Sequence, residues 1–148
     1  MKKSFSSLFS IFEEFQKIPK GVLIDRPDEL IKTNFVLNHS IINVLNMTDI
    51  SVYFTRRTLK HVAEKGIQGK ELLALICGTL TKPDYIFATD VKRRKIISSL
   101  IKRGSTYKHH VIIIESLAPD KLIIVTTFLA QHKYLKNFEI LWRTATST

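Results

Sequence analysis

The sequence predicts an α+β fold: N-terminal helices packed on a curved, roughly four-stranded antiparallel sheet. Three observations predict it. In the first half of the chain apolar residues recur every three or four positions, the helical period. In the second half they alternate or run in short blocks. The turns between those blocks are too short to join anything but antiparallel neighbours. With 148 residues, 45% of them hydrophobic, and few glycines and prolines, the chain suits one domain with its own core. We expect a single domain over 1–148, with residues 1–49 as an N-terminal helical extension and 50–142 as the core.

The elements follow in order. Phe5, Leu8, Phe9, Phe12 and Phe15 are spaced for one face of a helix from about Ser4 to Ile18. Ser4 or Ser6 is placed to cap it, and Pro19 with Gly21 ends it. That aromatic face is expected to dock on the domain's own core, with membrane binding as the alternative. Gly21–Ile24 reads as a short strand, Asp28–Asn46 as mostly helical, and Ile50–Phe54 as a strand. Thr55 opens a helix with Thr58 as a cap and Gly66 as its end. A second helix runs from about Gly69 to Cys77, stopped by Gly78. The sheet then takes Tyr85–Ala88, Lys95–Lys102, Tyr107–Leu117 and Lys121–Phe128, joined by turns at Arg103-Gly104-Ser105 and Ala118-Pro119-Asp120.

Charge is the first clue to function. Lys and Arg total 23 against 13 Asp and Glu, a net charge of +10. A surplus of this size favours a polyanionic partner, with nucleic acid ahead of an anionic membrane surface. Plain solubilisation by charge is the blander reading. The window from Val91 to Ile114 has no acidic residue and holds Lys92, Arg93, Arg94, Lys95, Lys102, Arg103, Lys108, His109 and His110. Arg56, Arg57, Lys60 and His61 form a second cluster. Together they are expected to line a phosphate groove. The alternative is an edge strand guarded by lysines.

Other classes fit poorly. The single cysteine, Cys77, sits in an apolar run and is expected to be a buried small hydrophobe. The Met1-Lys2-Lys3 start imitates a secretory leader. However, Glu13, Glu14 and Gln16 break its apolar run, and no cleavage site follows. With no stretch fit to cross a bilayer, a cytoplasmic protein is expected. His39, His61, His109, His110 and His132 lack metal-ligand spacing, so no metal and no cofactor are expected. His109 and His110, adjacent in a strand, send their rings to opposite faces. The chain also lacks the clustered carboxylates of magnesium nucleases, a glycine-rich phosphate loop and a nucleophile elbow. An enzyme here would use His, Lys, Arg and hydroxyls, which suit phosphodiester cleavage by internal 2′-hydroxyl attack. His61, beside the apolar stripe of its helix, is the first candidate. A surface histidine with no role is the plainer reading.

The ordered series Thr55-Arg56-Arg57-Thr58-Leu59-Lys60-His61-Val62-Ala63, then Lys82-Pro83-Asp84-Tyr85-Ile86, then Tyr107-Lys108-His109-His110-Val111-Ile112-Ile113-Ile114-Glu115, then Leu122-Ile123-Ile124-Val125-Thr126-Thr127-Phe128 and Lys133-Tyr134-Leu135 resembles one nuclease family. It is the phage-associated barnase, EndoU, colicin and RelE-like (BECR-fold) nucleases. The resemblance covers roughly Ile50 to Trp142. It implies metal-independent RNA cleavage, often by a toxin or phage effector, and so an immunity or antitoxin protein as a partner. Carried over, His61 is the acid or base, Lys108 holds the phosphate, and Thr126, or Thr127 beside it, positions it. Arg57 and Lys102 are supporting cations. From the basic window itself, Arg103, Tyr107 and His109 are expected as further substrate contacts. The family often has a second histidine soon after the first, and this chain has none until His109. His109, His110 and Tyr107 are therefore the candidates for the second proton transfer. Two other readings stand beside the ribonuclease. One is a nucleic-acid-binding module that does not cut. The other is an interaction protein that docks a partner through Phe5, Phe9 and Phe12.

Overall fold

The computed structural model describes residues 2–144, with side chains from Leu8 onward. Helix α1 (Lys2–Gln16) buries Leu8, Phe12 and Phe15, the one-face spacing read from the sequence. Phe9 and Ile11 pack at the margin of the same core. From Leu8 onward that face is thus committed to the protein's own interior. Ser4, Ser6 and Phe5 lie outside the described side chains. Among the described residues no helix is long and apolar enough to cross a membrane.

The expected strand at Gly21–Ile24 does not form. Gly21 takes φ +85°, which breaks an extended run, and Val22 and Leu23 are exposed. The chain instead wraps over a later helix, where the Gly21 amide donates to the Glu64 carboxylate (3.0 Å). Asp28–Asn46 is not mostly helical. It holds β1 (Leu30–Lys32) and the short α2 (His39–Leu45). Strand β2 (Ser51–Thr55) leads straight into α3 (Arg56–Ala63). The cap of α3 is Thr55, whose hydroxyl accepts the Thr58 amide, so Thr58 receives the cap and does not supply it. Helix α4 (Ile67–Thr81) starts earlier and ends later than expected. It runs through Gly78 and stops before Pro83, because its buried face (Leu72, Leu73, Ile76, Thr79 and Leu80) extends past that glycine. Cys77 falls off that face and is exposed, not buried.

The four expected meander strands are present as β3 (Tyr85–Ala88), β4 (Arg94–Arg103), β5 (Thr106–Ala118) and β6 (Lys121–Ala130). The sheet is larger than four strands, however. After the short α5 (His132–Leu135), β7 (Ile140–Arg143) pairs with β3. The full order is β1-β2-β6-β5-β4-β3-β7. It is also mixed and not purely antiparallel, since β2 lies parallel to β6. The N-terminal region is therefore no mere extension: it supplies α1 to the core and β1 to the sheet.

The two sheet faces differ. One carries the main core, where Val52, Phe54, Ile97, Ile112, Ile114 and Ile124 meet α1, α3 and α4. The other, outer face holds a smaller cluster of Phe87, Ile96, Val111 and Leu135, covered by the α5 segment. Strand alternation, reset in β6 by the bulge between Ile124 and Thr126, assigns the residues of β4–β6 to one face or the other. That assignment decides which side chains can share a site.

Candidate functional site

The sequence-derived residues do not converge. His61 lies on the exposed side of α3, 70% exposed, with Nδ1 3.5 Å from Glu64 Oε1. It lines a crevice of about 320 Å3 formed by residues 21–24 and Pro27, together with Arg57, Lys60 and Glu64. Arg57 is paired there with Asp28 (2.8 Å). Glu64 is held at a pKa of about 2, mainly by the Lys60 ammonium (2.5 Å) and next by the Gly21 amide. Thr126 pairs with Ile113 on the outer face of the sheet, whereas Thr127 pairs with Ile112 on the helix face. Lys108 alternates with His109, which puts it on the helix face as well. Arg103 also turns to that side and pairs with Glu71 of α4. His61, Lys108 and Thr126 therefore occupy three separate places.

The expected basic groove divides in the same way. Lys92, Arg93, Arg94 and Lys95 sit at one end of the β4–β5 hairpin, and Lys102, Arg103 and Lys108 at the other. Arg93 and Arg94 both face Glu115. The edge-strand alternative fails as well, because β4 and β5 are interior strands. His109 and His110 do point to opposite faces. His110 is buried on the helix side between the Thr79 hydroxyl (2.6 Å) and the Thr127 hydroxyl (2.8 Å). Burial lowers its pKa to about 4, so it stays a neutral structural ring.

Three of the expected residues do come together. Lys102, Tyr107 and His109 share the outer face of the β4–β5 hairpin. Lys102 lies directly across from Tyr107, and Leu100 across from His109. Beside them a cleft of about 270 Å3 opens between the sheet, α5 and β7. Its walls include Tyr85, His109, His132, Lys136 and Arg143. His132 sits at the start of α5 because β6 ends at Ala130, opposite His109. The two rings meet there, with His109 Nε2 3.2 Å from His132 Nδ1. His109 Nδ1 is 3.4 Å from the Ser98 hydroxyl, and the Tyr85 ring centroid is 6.0 Å from that of His109.

His109 and His132 differ in access. His109 is buried, whereas His132 is exposed. Burial pushes the His109 pKa below its ordinary value. The His132 ring adds to that, and the Asp84 carboxylate opposes it. Asp84 is fixed by accepting the Leu100 amide (2.8 Å). A neutral His109 can accept from His132 Nδ1 and hold its own proton on Nδ1, toward Ser98. That tautomer leaves His132 Nε2 as the ring nitrogen without a proton, on a residue that solvent reaches. The chain Ser98–His109–His132 thus orients one accessible imidazole, the same logic by which a buried group orients a catalytic histidine elsewhere. Two cations, Lys136 and Arg143, stand in the same cleft.

Sequence reading missed His132, Ser98, Tyr85, Lys136 and Arg143. A signal existed for His132. The Pro119-Asp120 turn puts Ala118 opposite Lys121, and counting back from it brings residue 130 opposite 109, because the two bulges between them cancel. Among the described residues no group of three or more His, Cys, Asp or Glu is arranged to hold a metal ion. No protein-family model, curated protein or solved structure matches the chain.

Proposed function

We propose that this protein cleaves RNA without a metal, and that the His109–His132 cleft is where it does so. The observation that carries the reading is an accessible imidazole, held in register by a buried one, in a cleft that also presents an ammonium and a guanidinium. In this reading His132 Nε2 takes the proton from a ribose 2′-hydroxyl. The 2′-oxygen forms a bond to phosphorus, and the bond from phosphorus to the 5′-oxygen breaks. Lys136 supplies the proton that the leaving oxygen needs. Arg143 balances the charge that gathers on the phosphoryl oxygens. The products are a 2′,3′-cyclic phosphate and a 5′-hydroxyl. His109 touches no substrate and acts by positioning His132.

Support also comes from the net charge of +10 and from the helix-then-meander order that the BECR-fold resemblance implies. A toxin or phage-effector role, with an immunity protein as partner, belongs to that same resemblance. The chemistry of this reading departs from what the resemblance assigned: His132 replaces His61, and the cations are Lys136 and Arg143 instead of Lys108. Labelled RNA incubated with the protein in EDTA tests the reading. Cyclic-phosphate ends from wild type and not from His132→Ala would support it. Intact RNA with wild-type protein would refute it.

A further inference from the structure

We propose that the cleft selects single-stranded RNA by stacking one base on Tyr107. This rests on the cleavage reading and adds what the site discriminates. Tyr107 is 63% exposed and Leu100 41%, and both lie on the face that carries His109. An aromatic ring so exposed contributes little to the core, yet it lies two residues from His109 on the same face of β5, with a cation, Lys102, directly across from it. Aromatic ring, apolar neighbour and lysine together make a platform for a base and its phosphate.

Stacking on Tyr107 argues for an open strand. The ring needs the bare face of a base. A duplex cannot offer one, because its base faces are covered by their neighbours and it presents a side chain mainly with phosphates and 2′-hydroxyls. The cleft itself, about 270 Å3 under α5 and β7, lies at the small end of ligand pockets and does not admit a helix of two strands.

The test uses a fluorescent single-stranded oligonucleotide with 2′-O-methyl sugars, which cannot be cleaved, and a second one of the same length and base composition whose sequence closes into a hairpin. Binding is read by anisotropy for wild type, Tyr107→Phe and Tyr107→Ala. Stacking on an aromatic ring is worth ~1–3 kcal/mol per base, so Tyr107→Ala should weaken single-strand binding by roughly 5- to 150-fold. Tyr107→Phe should bind like wild type, and the hairpin should bind at least about tenfold more weakly than the open strand. Equal affinity for strand and hairpin, or an unchanged Kd in Tyr107→Ala, would overturn the inference. Cleavage of unmodified RNA is scored separately. Tyr107-dependent binding without cleavage overturns the nuclease reading and leaves the stacking. Cleavage with Tyr107-independent binding does the reverse.

Discussion

Replacing His132 by Ala removes the one ring of the His109–His132 pair that meets solvent, and it leaves the buried ring and its Ser98 contact in place. Cleavage should fall by about 10²–10⁴, the usual worth of a positioned acid–base group, with the folded state intact by circular dichroism. The neighbouring residue behaves differently. His110 has its pKa lowered by burial from 6.5 to about 4. Above pH 6.5 it is neutral in both folded and unfolded chains and gives no pH dependence. As pH falls from 6.5 to 4 the unfolded chain takes up a proton that the folded chain refuses, so stability drops. The full effect is about 3 kcal/mol at pH 4 and below. Urea denaturation between pH 7 and pH 4 should show this slope, and His110→Leu should flatten it. A slope unchanged in His110→Leu would contradict the assignment. Glu64 titrates in a separate window, from its ordinary 4.5 down to about 2, so the two losses can be told apart. Sequence alone gave the opposite facing of the two adjacent histidines. It did not say which face was the outer one, because that depends on which side the helices pack.

At the scale of elements, two contacts hold the helical layer. Phe12 of α1 is buried among α3 and sheet residues, and Phe12→Ala should cost ~3–5 kcal/mol by denaturant titration. Gly69 lets α4 approach α3 so closely that a Cβ there would collide with the Val62 carbonyl. Backbone cannot yield as a flexible side chain can, so Gly69→Ala should destabilise by about 1–3 kcal/mol although Ala is the better helix former. A stabilised Gly69→Ala would contradict the crossing seen here. These helices were legible from period alone, as were β3 to β6, since each is long or bounded by clear turn residues. Strands β1 and β7 were not. They have 3 and 4 residues, too few to show a period, and they exist because an adjacent strand offers them a ladder. Gly21–Ile24 shows the converse: it is apolar enough for a strand and has no partner.

For the whole molecule, the sheet sorts the basic charge that the sequence could only count. Lys102 shares the outer face with Tyr107 and His109, whereas Lys108 turns to the helix side and Arg57 lies at the α3 crevice. Removing a lysine that contacts phosphate lowers the salt dependence of binding by about one counterion. Lys102→Ala should therefore reduce the slope of log K against log salt by roughly 0.7 for a single strand, and Arg57→Ala should leave it as it is. Equal slopes for wild type and Lys102→Ala would move the binding face elsewhere. The candidate site was hard to read from sequence for the same reason. His109 and His132 are 23 positions apart and meet only through the β5–β6 hairpin, whereas His61 drew notice from a local motif.

The most direct test of metal-independent cleavage at the His109–His132 cleft is one gel: unmodified single-stranded RNA in EDTA with wild type, His132→Ala and His61→Ala. The account predicts 2′,3′-cyclic phosphate ends from wild type and His61→Ala, and intact RNA with His132→Ala. Cleavage that survives His132→Ala and disappears in His61→Ala would place the chemistry at the α3 crevice and contradict it.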